Sequence, residues 1–183
     1  PMTLLRGVVE DLDLQTWLFD YILPLEKKWV NADFVRTGTE LALCEAIRNG
    51  ITFVADMYYF ELEIAKAVDR MQMRGMVGST VMDLEAPDFK NLEEAFENVR
   101  KLAKCYSHHD RVIPAIAPHA PYTCSLETLE ASAALAKELD VPAMIHLAES
   151  KRELADMLSK HQLTPTQYVE KSGLLKAKQI LLA

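Results

Sequence analysis

The sequence predicts an α/β fold, and three observations favour the central part of a (β/α)8 barrel of the TIM type. Short apolar runs alternate with longer amphipathic stretches, a rhythm that implies parallel strands joined by helical crossovers. The runs are apolar almost throughout, as expected when both faces of a sheet are covered. Polar residues come at the ends of these runs, where barrels and open α/β sheets hold their chemistry.

Five strands are predicted, and they lie at 51–57, 74–82, 111–119, 142–149 and 179–183. The predicted helices lie at 13–30, 31–50, 60–72, 91–107, 125–140 and 151–160, and a last turn lies at 164–173. Five strands are too few to close an eight-stranded barrel. We therefore expect about strands 2 to 6 of one barrel domain over residues 1–183, with no internal boundary.

Several residues predict where the helices begin. Asn31 and Ser125 are suitable N-caps, and Asn91 followed by Glu94 has the pattern of a capping box. Pro24 lies within the first helical pattern and is expected to kink or end that helix, because proline has no N–H to donate.

Composition excludes several classes of protein. A formal net charge of −7 argues against nucleic-acid binding, which needs clustered Lys and Arg. No apolar run approaches the roughly 20 residues of a membrane span. No Gly-x-Gly-x-x-Gly or P-loop follows a predicted strand, which disfavours a nucleotide-binding sheet. The three cysteines have no pair-like spacing, which favours a reducing, cytoplasmic location.

The stretch “MIHLAES” at 144–150 contains the first candidate pair, His146 and Glu149. A histidine near the top of a barrel can bind a metal such as Zn²⁺. The alternative is a core histidine hydrogen-bonded to a backbone carbonyl, and the pattern alone does not separate the two. Glu149 could shuttle protons beside a metal. As an isolated residue it is more typical of an acid in the first turn of the next helix.

Two further candidates lie elsewhere in the chain. His119 lies in “IAPHAPYTCS”, where two prolines stiffen the loop after a strand, so it suits a substrate contact or, alternatively, packs against Tyr122. Glu26 could hydrogen-bond the hydroxyls of a substrate, although an acid beside two lysines is more often solvated. Cys124 near His119 is a weaker candidate for a nucleophile pair, because no activating group accompanies it.

Five segments together resemble the amidohydrolase superfamily, and within it the 5-methylthioadenosine/S-adenosylhomocysteine deaminases and their chlorohydrolase relatives. In chain order they are “PMTLLRG”, “LPLEKKWV”, “ADMYYF”, “APHAPYTCS” and “IHLAES”. The resemblance covers essentially all 183 residues. The combination of “APHAPYTCS” with the later “IHLAES” is its most specific part.

The resemblance implies a hydrolytic deaminase of adenine-containing nucleosides that binds one divalent metal, zinc or alternatively iron. A metal-activated hydroxide would attack C6 and ammonia would leave. By position in the family pattern, His146 is the metal ligand and Glu149 is the catalytic acid that also contacts substrate. His119 is a substrate-binding residue, and Glu26 holds the ribose hydroxyls. The other metal ligands of the family fall outside this segment, so the segment alone is expected to be inactive.

The sequence leaves two alternatives open. One is a related amidohydrolase that acts on a triazine or another N-heterocycle. The other is a catalytically incomplete barrel fragment without turnover. Relatives can carry an arginine after the third strand that contacts the substrate's tail, whereas this chain has Ser79 there. The expected partner is a small nucleoside, without nucleic acid or membrane, and a homo-oligomer is compatible with the sequence.

Overall fold

The computed structural model describes residues 1–183, and its five strands form one sheet. The strands are β1 (Phe53–Tyr58), β2 (Arg74–Val81), β3 (Val112–Pro118), β4 (Ala143–Ile145) and β5 (Ile180–Leu182). Every pair of neighbours is parallel and the spatial order equals the chain order. An order without reversal is that of a barrel and not of a doubly wound sheet, so the predicted partial barrel is confirmed.

Seven α-helices accompany the strands. They are α1 (Leu23–Trp29), α2 (Ala32–Arg48), α3 (Glu61–Arg70), α4 (Leu92–Tyr106), α5 (Leu126–Leu139), α6 (Lys151–His161) and α7 (Pro165–Lys171). A π-helix (Thr16–Ile22) precedes α1, and short 3-10 turns lie at Met2–Leu5 and Leu174–Lys176. No helix is both long and apolar enough to cross a bilayer.

The predicted N-caps are confirmed. Asn31, Asn91 and Ser125 each accept a hydrogen bond from the backbone N–H three residues further on. The capping box at Asn91 differs in one detail, because the Glu94 carboxylate accepts from the N–H of Lys90 at 2.8 Å instead of from Asn91 itself. Local side-chain chemistry therefore starts these helices as the sequence indicates.

Pro24 changes the winding of the first helix without ending it. The chain is π-helical up to Ile22 and α-helical from Leu23, with Pro24 in the first turn of α1. Proline is tolerated in a first turn, where its missing N–H has no partner to lose. The wider π turn thus takes the place of the predicted break.

The fourth strand is shorter than predicted. β4 ends at Ile145, whereas the apolar pattern extends to Glu149. Ala148 has φ of +59°, a left-handed conformation that a strand cannot contain. The N–H of Leu147 still donates to the carbonyl of Ala183, so the chain leaves the sheet after Leu147, and Glu149 lies on a turn that leads into α6.

Most of the core lies between the sheet and the helices. The main cluster there contains 32 buried apolar residues, whereas the inner face of the sheet has a cluster of only three, Ala115, Ala117 and Met144. A Cβ on Gly78 would lie 2.9 Å from Ala117 and from Met144, so only glycine fits at that point. The inner face thus has a small, tightly packed cluster of alanine and methionine side chains.

Candidate active site

Sheet pairing brings His119 and His146 together at the carboxyl ends of their strands. The N–H of His119 donates to the carbonyl of Val81, and the N–H of His146 donates to the carbonyl of His119, both at 2.9 Å. Backbone pairing thus continues one residue past β3 and β4 and aligns the two histidines side by side. Their rings meet edge to face with centroids 5.2 Å apart.

Thr123 holds one ring nitrogen of His119. The Nδ1 of His119 lies 2.8 Å from the Thr123 hydroxyl, and that hydroxyl also lies 3.2 Å from the carbonyl of Ala120. When the hydroxyl donates to Ala120, it accepts from Nδ1–H and leaves Nε2 of His119 as an acceptor. Burial, with a smaller effect from His146, lowers the pKa of His119 to about 3, so the ring is neutral at physiological pH.

Glu149 lies at the mouth of the site and is held by Tyr122. The Tyr122 hydroxyl donates to Oε2 of Glu149 at 2.6 Å. Burial and, second, this bond raise the pKa of Tyr122, so its hydroxyl remains a donor. The Tyr122 ring also packs edge to face against His119, with centroids 5.9 Å apart. The predicted packing of His119 on Tyr122 is present, and it serves to link His119 to Glu149.

Glu26 is buried, so the solvated alternative is wrong for this residue. It is 3% exposed, whereas its neighbours Lys27 and Lys28 lie on the outer side of α1. Burial raises the pKa of Glu26, and the hydroxyls of Tyr58 and Tyr59 oppose that rise. The Tyr58 hydroxyl is buried near Glu26, yet it makes no hydrogen bond of normal geometry with that carboxyl or with any other group. A buried acid beside an unpaired hydroxyl is a suitable place for a polar ligand group.

These four predicted residues line one cavity of about 230 Å³. Tyr122 lines it together with them. Most of the remaining lining is apolar and includes side chains of the π-helix. Complete small-molecule sites enclose roughly 300–1,000 Å³. The described residues thus form part of the wall of such a site.

The residues of this chain do not complete a metal site. No group of three or more His, Cys, Asp or Glu side chains is arranged to hold an ion. His146 offers one imidazole, whereas a catalytic zinc site takes three protein ligands. Asp56 lies inside β1, and one of its carboxylate oxygens is buried without a partner.

Three contributors escaped the sequence reasoning. Tyr58 and Tyr122 line the cavity through hydroxyls whose direction depends on the fold. Glu153 contacts the turn that carries Glu149. Its signal is visible in the sequence, since Ser150 followed three residues later by Glu153 is a capping-box pattern.

Cys124 does not form a nucleophile pair with His119. Its thiol is buried and donates to the carbonyl of Val81 at 3.3 Å. Burial raises the pKa of Cys124 to about 11, which disfavours the thiolate.

Comparison with known proteins places this geometry in a family. The profile of the amidohydrolase family matches residues 1–183. The 5-methylthioadenosine/S-adenosylhomocysteine deaminase of Aquifex aeolicus is 39% identical over 182 residues, which are 100% of this chain and 42% of that protein. The chain thus spans less than half the length of this relative.

Solved structures agree with the fold. An adenosine deaminase from Xanthomonas campestris with bound zinc matches with a TM-score of 0.94 and 32% identity, over 100% of this chain and 41% of that one. An atrazine chlorohydrolase from Arthrobacter aurescens complexed with zinc matches with a TM-score of 0.85 and 20% identity, over 99% of this chain and 45% of that one. From the family profile and the 32–39% identities, the chain belongs to the amidohydrolase family.

Proposed function

We propose that this chain forms the nucleoside-binding and proton-transfer part of a metal-dependent hydrolytic deaminase of adenine nucleosides, of the 5-methylthioadenosine/S-adenosylhomocysteine type. The observation that carries this is the burial of Glu26 in the same cavity as His119, His146 and Glu149. One cavity then holds both an acceptor for sugar hydroxyls and a proton-transfer group. The likeness to deaminases at 32–39% identity supports the same class.

The ribose would lie against Glu26. A carboxylate accepts hydrogen bonds from two neighbouring hydroxyls, and the unpaired Tyr58 hydroxyl nearby can donate to a ribose oxygen. Hydrogen bonds to a buried charged group contribute about 1.5–3 kcal/mol each. Binding the sugar in this way would orient the adenine ring toward the histidines, so that remote binding energy assists the reaction at C6.

His119 would contact the base. With Nδ1–H donating to Thr123, its Nε2 would be an acceptor on a neutral ring. A neutral acceptor suits an N–H of the reacting ring or the attacking water. The rings of Tyr122 and His146 both pack edge to face against the imidazole and restrict its orientation.

Glu149 would move the protons. In hydrolytic deamination a water oxygen forms a bond to C6, a ring nitrogen takes a proton, and the C6–N bond breaks with release of ammonia. Glu149 would accept one proton of the attacking water and pass it to the ring nitrogen, where it stays in the product. It would then carry the second proton, from the new C6 hydroxyl, to the leaving amine, a role that positioned carboxyl groups perform. When bound, a divalent metal would supply the activated water. His146 would hold it, together with ligands that this chain does not provide.

A triazine or other N-heterocycle substrate is the rival. The likeness to the atrazine chlorohydrolase is 20% in identity and concerns the fold alone. A triazine has no ribose, so it would leave the buried Glu26 without a partner, at a cost of about 1–3 kcal/mol for an unsatisfied group. The geometry therefore favours the nucleoside.

Ammonia release from a panel of substrates tests the proposal. The intact, metal-loaded protein is assayed with 5-methylthioadenosine, S-adenosylhomocysteine, adenosine, free adenine and an aminotriazine. We expect the nucleosides to be deaminated with kcat/KM at least about 100-fold above adenine, since two hydrogen bonds to Glu26 are lost without the ribose. Activity confined to adenine or the triazine would contradict the proposal.

A further inference from the structure

We propose that Glu153 is a positioning residue, whose buried carboxylate fixes the turn that presents Glu149 to the substrate. This rests on the proposed role of Glu149 in proton transfer. The inference is carried by three hydrogen bonds, by the conformation of Ala148 and by the burial of Glu153.

The carboxylate of Glu153 holds two consecutive backbone N–H groups. Its Oε2 accepts from the N–H of Glu149 at 2.7 Å, and its Oε1 accepts from the N–H of Ala148 at 3.3 Å. The backbone of Glu153 is fixed in turn, because its N–H donates to the Ser150 side chain at 3.1 Å. Both oxygens of this carboxylate therefore accept hydrogen bonds from the backbone of the two residues that set the direction of the Glu149 side chain.

The turn needs such support, because it is strained. Ala148 adopts φ of +59°, and the left-handed region costs a residue with a Cβ roughly 1–2 kcal/mol. Without the turn, the chain would continue the strand alternation that the apolar pattern predicts. Glu149 would then point to the same side as Leu147, opposite to His146. The two bonds from Glu153 stabilise the conformation in which Glu149 lies beside His146 in the cavity wall.

The side chain of Glu149 is held at its other end by Tyr122. Glu149 is exposed, and a free glutamate loses up to about 1.5–2 kcal/mol of rotamer entropy when it is ordered. The 2.6 Å bond from the Tyr122 hydroxyl and the clamp on the backbone restrict that freedom before substrate binds. Glu149 is thus preorganised from both ends.

Helix capping alone does not explain the burial of Glu153. In α4, Glu94 occupies the same third position after the cap and accepts from the N–H of Lys90, and it does so while exposed to solvent. Glu153 is only 1% exposed and reaches two N–H groups instead of one. Burying a carboxylate opposes stability. Glu153 is more buried than Glu94 because its carboxylate lies under the turn at Ala148 and Glu149, whose N–H groups it accepts from.

The test compares Glu153→Gln with Glu94→Gln in the intact, metal-loaded protein. Glutamine keeps one acceptor oxygen and replaces the other with a donor, so the two-point clamp is lost. We expect Glu153→Gln to lower kcat about 10- to 100-fold, the range that displacement of a catalytic group by about 1 Å produces. We expect KM within about twofold of wild type and unchanged metal content, because Glu26 and His146 are untouched.

Glu94→Gln is the matched control, since it makes the same change at the same position of another helix, away from the cavity, and should leave kcat unchanged. Amide hydrogen exchange at Ala148 and Glu149 gives a readout besides activity, and protection there should fall in Glu153→Gln only. If that variant does not fold, Glu153→Asp, which withdraws the carboxylate by one methylene, is measured instead with the same expectation. Equal kcat for the Glu153 and Glu94 variants would overturn the inference. A wild type without deaminase activity would instead overturn the proposed function.

Discussion

At the scale of single residues, burial decides which of several similar side chains can take part in chemistry. Glu26, Lys27 and Lys28 are consecutive and charged, yet only Glu26 points into the cavity, and Lys27 pairs with Glu85 at the surface. The helix turns one of the three inward because Leu23 and Ile22 beside it face the same cavity. The neighbours of Glu26 in sequence therefore say little about its surroundings in space.

Replacement of Glu26 by alanine should harm ribosyl substrates selectively. We expect kcat/KM for 5-methylthioadenosine to fall about 10- to 100-fold, because one to two hydrogen bonds to a charged group are lost. Activity on free adenine should change by less than about threefold. Glu45→Ala removes an acid that pairs with Arg6 on the surface and provides the control. An equal loss on adenine and on the nucleoside would exclude a ribose contact.

At the scale of the elements, the sequence predicted what depends on local chemistry. The caps at Asn31, Asn91 and Ser125 were predictable, because each bond spans three residues. The end of β4 was not, because an apolar pattern does not show the left-handed turn at Ala148, which depends on Glu153. The same holds for the π winding before α1.

The site was predictable to a similar extent. The order of the strands places His119 and His146 at one sheet end, since parallel strands align their carboxyl ends. The Tyr122 hydroxyl donates to Glu149 across 27 positions of sequence, and Tyr58 lines the same cavity as Glu26 although the two are 32 positions apart. Such contacts follow from packing and leave no short-range pattern.

Helix α3 begins with a buried acid that should make stability depend on pH. Glu61 accepts from the N–H of Thr80 at 3.1 Å, and burial, followed by repulsion from Asp88, raises its pKa well above the usual value. The folded state therefore binds a proton that the unfolded state releases as pH rises above the ordinary carboxyl pKa. By linkage, this group contributes less stability at pH 8 than at pH 5.

Glu61→Gln removes this contribution while its side-chain oxygen still accepts from Thr80. We expect the drop in urea midpoint between pH 5 and pH 8 to be smaller in this variant than in wild type. Glu63→Gln is the control. Glu63 lies in the same helix and pairs with Lys66, so this variant loses a carboxylate charge that is not buried like that of Glu61. An identical pH dependence in wild type and Glu61→Gln would show that Glu61 is not a source of it.

At the scale of the whole molecule, the two ends of the sheet carry different kinds of residues. The carboxyl ends of the strands hold His119, His146 and the turn with Glu149. At the opposite end, Arg111 pairs with Asp69 at 2.5 Å, and its own N–H donates to His109 before β3 begins. This division between a reactive end and a stabilising end is typical of barrels.

The edges of the sheet are formed by β1 and β5, and the helices cover its outer face. The inner face carries only a three-residue buried cluster, and the cavity that holds the candidate residues is lined from several separate elements. Glu26 reaches that cavity from a helix before the first strand, whereas Glu149 reaches it from the fourth. The proposed reaction therefore depends on the curvature of the whole sheet.

The most direct measurement is the turnover of Glu149→Gln in the intact protein, with the bound metal quantified in the same sample. Glutamine keeps the shape of the side chain and cannot accept and return the proton. We expect kcat on 5-methylthioadenosine to fall by about 100- to 10,000-fold, the usual contribution of a general acid–base group, while metal content equals that of wild type. The control is Glu170→Gln, at an exposed position of α7. Near-normal turnover in Glu149→Gln with metal bound would contradict the assignment of proton transfer to this residue.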